Sequence, residues 1–136
     1  MNRARKQTFA RFAPVMLIAV AIPALSLLPA AFFNRITPSA PPFPAWDKLI
    51  HALLYAALSG ALFHALPTNA KARGASWIGV ALAAGGYGLI MECCQRWLTV
   101  SRGFEWLDAL ANLSGAAILA GTAGLRVRAR RRAAGG

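Results

Sequence analysis

The chain has 136 residues, 57 % of them hydrophobic and only 14 % charged, with a formal net charge of +11. A soluble domain carries about 25 % charged residues, and a mean hydropathy of +0.49 is more apolar surface than one small core can absorb, so a soluble globular domain is excluded. High hydrophobicity excludes disorder as well, and the length allows a single domain.

Four apolar stretches predict an all-α fold, a four-helix transmembrane bundle with helices over about 12–33, 47–66, 75–97 and 105–125 and basic tails over 1–11 and 126–136. Each stretch meets the roughly 20 apolar residues that a spanning helix needs. In the first, Pro14, Pro23 and Pro29 predict a kinked or broken helix. Its apolar run exceeds the roughly 7–15 residues of a signal-peptide core. Its removal would leave three spans and put the two later basic segments on opposite sides, so an uncleaved helix is expected. The break from Asn34 to Pro44 holds Pro38, Pro41, Pro42 and Pro44, which cannot continue a helix. The other breaks are Pro67–Gly74 and the short polar Arg96–Phe104. Ala83, Ala84, Gly85, Gly86 and Gly88 make the third helix slim, and Ala117, Gly121 and Gly124 do the same for the fourth. Small residues let membrane helices approach closely, so these two helices are expected to meet face to face and bring Glu92 near Asp108.

Charge placement sets the orientation. Arg3, Arg5, Lys6 and Arg11, then Lys71 and Arg73, then Arg126, Arg128, Arg130, Arg131 and Arg132 fall on one side of a four-span protein, with no acid among them. On the other side Arg35, Lys48, Arg96 and Arg102 balance Asp47, Glu92, Glu105 and Asp108. Excess Lys and Arg marks the cytoplasmic side, which predicts cytoplasmic N and C termini and accounts for the whole +11. No nucleic-acid partner is expected, because positive-inside tails occur without one. The expected partner is the lipid bilayer, including its anionic head groups. Trp46, Trp97 and Trp106 fall near the outer interface and Trp77 near the inner one, as aromatic belt residues do.

All four carboxylates therefore map to the outer half of the bundle. Asp47, His51 and Tyr55 step by four and form one helical stripe; Glu92 and Gln95 step by three; Glu105, Asp108, Asn112 and Gly115 form a second stripe. At 1.5 Å per residue His51 lies roughly 6 Å below Asp47, and Asn112 about 6 Å below Asp108. Ionisable groups facing lipid cost about 2–3 kcal/mol each at the bilayer centre and less near the interface, so they are expected to turn inward into an outward-facing polar pocket, with Lys48, Arg102 and Arg96 as the available counter-charges. Buried polar residues in membrane bundles also serve as interhelical hydrogen bonds, and Asp47 or Glu105 as helix N-terminal acids. Cys93 and Cys94 are adjacent, point to different faces, and are read as small buried residues. His64, at the inner end of the second helix, is read as interfacial.

The run Asp47-Lys48-x-x-His51-x-x-x-Tyr55, then Glu92-x-x-Gln95, then Arg102-x-x-Glu105-x-x-Asp108-x-x-x-Asn112-x-x-Gly115 resembles the VanZ-like family of small bacterial membrane proteins, over roughly Trp46–Ala120. A Pro often seen before the Arg is replaced here by Val100 or Ser101. The resemblance implies a multi-pass protein of the bacterial cytoplasmic membrane; the founding member is associated with low-level resistance to teicoplanin, without a settled biochemical activity.

The pocket admits three chemistries. Binding of an envelope lipid or peptidoglycan-related molecule would use Asp47, Lys48, His51, Tyr55, Glu92, Gln95, Arg102, Glu105, Asp108 and Asn112, with the cations on phosphate or carboxylate. Catalysis would take His51, Glu92 and Asp108 as candidates, with His51 as acid or base. A divalent metal would take Asp47, His51, Glu92 and Asp108. No HExxH, GxSxG or Gly-rich phosphate loop is present, so no cofactor is expected and the metal set is the weaker reading. A purely helix-tying role is the remaining alternative.

Overall fold

The computed structural model describes residues 3–27, 44–67, 69, 76–98 and 104–135. Among these the chain forms four helices: α1 Arg3–Ser26, α2 Pro44–Ala65, α3 Trp77–Leu98 and α4 Trp106–Ala134. Each is long and apolar enough to cross a bilayer. Residues 28–33 of the first expected span, and with them Pro29, lie outside the described residues, as do Arg35, Pro38, Pro41, Pro42, Lys71, Arg73 and Arg102 and the side chain of Trp46.

Burial is inverted relative to a water-soluble bundle. Leu82, Ile118 and Leu125 are 64 %, 68 % and 64 % exposed, while Glu92 and Asn112 are 1 % and 0 % exposed. Large apolar side chains on the outside are tolerable where the surrounding medium is hydrocarbon, and polar groups then gain by facing one another. The 19-residue apolar stretch Asp47–Ala65 is about 28 Å long at 1.5 Å per residue, close to a hydrocarbon core of roughly 30 Å.

The helices alternate in direction. Ser26 meets Gln95, and Ala19 meets Tyr87, so α1 and α3 run together. His51 meets Asn112, and Ser59 meets Ala116, so α2 and α4 run together in the opposite sense. The start of α1 and the end of α4 therefore share one end of the bundle. Most contact is between α2 and α4, then between α3 and α4, with α1 resting mainly on α2.

Hydropathy misplaces two helix ends for one reason. α1 begins at Arg3 rather than 12, and α4 continues to Ala134 rather than 125. Arg, Ala, Lys and Gln are strong helix formers, so these basic segments extend the helices beyond the apolar boundary that hydropathy detects. α1 also runs unbroken through Pro14 and Pro23, so of the kinked or broken helix expected, the break does not occur at these two. Pro44 opens α2, where a missing N–H costs nothing. Extended Glu105 caps α4, its carbonyl accepting from the N–H groups of Asp108 and Ala109, both at 3.1 Å.

The small residues do not all act as expected. On α3, Gly85 and Gly88 face Leu113 and Asn112 of α4, whereas Gly86 is exposed with open space around it. On α4, Ala117 is exposed and Gly121 has nothing near it; the close approaches are at Gly115, against the backbone of Ala52, and at Gly124, against Trp77. The tightest crossing is thus α2 on α4, with α3 beside it.

Candidate functional site

At the end of the bundle opposite the termini, the first turns of α2 and α4 and the last turns of α3 converge. Lys48 lies at the centre. Its Nζ donates to Glu105 Oε2 at 2.7 Å and to Asp47 Oδ2 at 3.3 Å, and it pairs with Asp108 Oδ1. The i, i+4 step of α2 puts His51 one turn below Asp47, and the equivalent step on α4 puts Asn112 one turn below Asp108. The His51 Nδ1 and Asn112 Oδ1 atoms are 2.9 Å apart. Asn112 Nδ2 donates to Glu92 Oε1 at 3.4 Å, and Glu92 Oε2 accepts from the Glu105 backbone N–H at 3.5 Å.

This relay fixes a protonation pattern. A carboxylate at Glu92 accepts only, so the Asn112 amide must turn its nitrogen to Glu92 and its oxygen to His51. His51 Nδ1 must then carry a proton and donate to that oxygen. Nε2 lies 3.8 Å from Asp108 Oδ2 and 3.9 Å from Asp47 Oδ1, beyond hydrogen-bond reach of both. Each aspartate therefore gives one oxygen to Lys48 and turns the other toward His51.

The exposure gradient runs from outside to inside. Asp47 and Glu105 side chains are more than half exposed, Lys48 is partly exposed, and His51, Glu92, Asp108 and Asn112 are buried. Among the described residues of the cluster, four carboxyl groups (Asp47, Glu92, Glu105, Asp108) surround one lysine and one histidine. Arg96 is exposed, and Arg102, the second expected counter-charge, lies outside the described residues. Anion recognition by Lys48 is disfavoured, because its ammonium already serves three acids.

Most of the expected site residues come together, with two qualifications of role. Tyr55 is buried beneath His51, where its ring edge and Asn112 leave room at Gly88 for no side chain. Gln95 donates to the Ser26 carbonyl of α1 at 3.2 Å, so it ties α1 to α3. Glu92 sits on the Nδ1 side of His51, 3.9 Å away, and not beside Nε2. Two polar ties were not expected. Ser59 Oγ donates to Ala116 O at 2.9 Å, and Tyr87 Oη to Ala19 O at 2.6 Å; Ser59 continues the Asp47, His51, Tyr55 series by one more step of four, a signal that the sequence did contain. Gly115, at the end of the α4 stripe, acts by packing, as the seat for Ala52.

Cys93 and Cys94 are both free and half-buried, and His64 is exposed near the terminal end. Compared with family models, with characterised proteins and with solved structures, the chain finds no match in any of the three.

Proposed function

We propose that the chain is an integral membrane protein of the VanZ-like kind, lying in a bacterial cytoplasmic membrane with both termini cytoplasmic. Its polar cluster binds a component of the cell envelope, an envelope lipid or a peptidoglycan-related molecule, and so alters sensitivity to teicoplanin. The carrying observation is the surplus of carboxylates around a lysine that is already fully engaged. Such a cluster attracts a positively charged part of its ligand. The Arg-rich helix ends at the opposite end of the bundle support the orientation, since basic residues stay on the cytoplasmic side. The motif order from Asp47 to Gly115 supports the family reading.

A membrane-embedded enzyme acting on a lipid-linked or phosphate-bearing envelope substrate is the second reading, and one observation favours it. His51, with Nδ1 held by Asn112 and Nε2 facing two aspartates, is oriented as an imidazole that transfers protons is oriented.

The test compares wild type with Asp108→Asn and His51→Gln at equal membrane levels, scoring teicoplanin sensitivity. The expected result is normal accumulation with loss of the phenotype. Variants that fail to accumulate would reduce the cluster to a tie between helices, and a wild type without any effect on sensitivity would remove the teicoplanin part of the proposal.

A further inference from the structure

We infer that Asp47, His51 and Asp108 form a binding site for a divalent first-row metal ion, zinc or manganese, open to the outer membrane face. The inference rests on the reading of the cluster as a binding site, and it specifies the cation that its acids call for. One atom from each of the three residues lies within 4.8 Å of the others. His51 Nε2 faces Asp47 Oδ1 and Asp108 Oδ2, the oxygens of the two aspartates that Lys48 does not engage.

The acids alone would not carry the inference; the histidine does. Its side chain is nine-tenths buried, and its Nε2 is aimed between two carboxylate oxygens at 3.8 Å and 3.9 Å without a hydrogen bond to either. Two carboxylate oxygens that face one imidazole nitrogen from different helices favour a positive charge among them. Ligands about 2.1 Å from a tetrahedral ion are about 3.4 Å apart. Closure on an ion from separations of 3.8 Å to 4.8 Å therefore needs shifts of about 0.5–1.5 Å, which the exposed Asp47 side chain can supply.

The surroundings are those that metal-binding imidazoles use. A ligating histidine donates its other N–H to an acceptor that fixes ring and tautomer, and here Asn112, held by Glu92, does so. Ligating carboxylates are themselves hydrogen-bonded, and Lys48 holds both aspartates. Glu92, on the far side of the ring, belongs to this outer support and not to the ligands. One histidine and two carboxylates suit zinc or manganese better than calcium, which takes six to eight oxygens. Three protein ligands leave at least one coordination position for water or for an oxygen of a phosphate, and so allow an acid-rich cluster to hold an anionic head group.

The test uses the full chain purified in detergent, stripped with a chelator and free of envelope lipid. Zinc and manganese are titrated separately by calorimetry, with bound metal counted by elemental analysis. One ion per chain is expected, with affinity falling roughly a hundredfold in Asp47→Asn and in His51→Gln, the upper end of what losing even an outer partner costs. The His64→Gln control, at the other end of the bundle, should bind as wild type does. Asp47 is more than half exposed, so Asp47→Asn should keep the helical content and melting temperature of the metal-free protein. Histidine ¹⁵N resonances add a site-specific readout: the ion should shift His51 Nε2 while Nδ1 stays protonated. Absence of stoichiometric binding, binding unchanged by Asp47→Asn, or a metal-free His51 protonated on both nitrogens and unaffected by the ions would overturn the site. Metal binding together with a silent teicoplanin assay would remove the antibiotic effect and leave the ion site standing.

Discussion

Gly115→Ala should separate α2 from α4 and, through that movement, dismantle the polar cluster. A Cβ built at Gly115 would lie 2.7 Å from the carbonyl carbon and 2.8 Å from the Cα of Ala52, and closer still to its carbonyl oxygen. Ordinary carbon contacts are about 3.5–4 Å. The obstacle is backbone, which no rotamer change removes, so the two helices must part by about 1 Å. Overpacking of this kind costs about 1–3 kcal/mol. The same shift carries His51 Nδ1 and Asn112 Oδ1, now 2.9 Å apart, beyond hydrogen-bond reach, and stretches Ser59 Oγ from Ala116 O, also 2.9 Å. Each bond is worth about 0.6 kcal/mol in a membrane bundle. The better helix propensity of alanine offsets up to about 1 kcal/mol, leaving a net loss of about 1–3 kcal/mol. Thermal unfolding in detergent, followed by circular dichroism, measures it against Gly121→Ala, a change on the same helix where nothing lies within 4 Å. That control should melt at or slightly above wild type. Equal melting of Gly115→Ala and wild type, or an equal loss in both variants, would refute the close crossing.

Lys48→Met leaves buried Asp108 without its cation and should cost about 3–5 kcal/mol, the usual result of breaking a buried pair by removing one partner; restoration of the melting temperature in Lys48→Met/Asp108→Leu would show that the stranded carboxylate was the cause. Tyr87→Phe removes the bond to the Ala19 carbonyl and should cost about 0.5–1.5 kcal/mol, seen as a lower melting temperature with the α2–α4 contact intact by cysteine cross-linking. A fluorescent protein fused after Gly136 should fold and fluoresce, and alkaline phosphatase at the same point should stay inactive; the reverse pair of results would invert the proposed topology.

The number of helices and the end of the bundle that holds the acids were legible because both follow from coarse quantities, apolar run length and charge placement. Asp47, His51, Asp108 and Asn112 were legible because steps of three and four residues align side chains before any partner is known. Which neighbour each helix meets was not. Gly86, Ala117 and Gly121 are as small as Gly85, Gly88 and Gly115, and composition alone does not say which face of a helix turns inward. Helix ends were misplaced at Arg3 and Ala134 because an apolar boundary and a hydrogen-bonding boundary are different things. The split of each aspartate between Lys48 and His51 lay beyond sequence, because it depends on the relative rotation of α2 and α4 about their axes.

Whether the cluster merely ties helices together can be argued from what ties them elsewhere. Ser59 joins α2 to α4, Tyr87 joins α3 to α1, and Gln95 joins α3 to α1 again, each through a neutral group donating to a backbone carbonyl. Neutral ties of this sort satisfy both partners and bring no charge out of water. Asp47, Glu92, Glu105 and Asp108 bring four carboxylates to one end with a single described lysine among them, and Asn or Gln at those positions would join the same helices without the repulsion. Ionisable groups that packing does not require are what the proposed cation site accounts for and a helix tie does not. The Nε2 of His51 faces the same two aspartates, so a cation bound there should stabilise the protein, as a rise in melting temperature with zinc or manganese that Asp47→Asn abolishes.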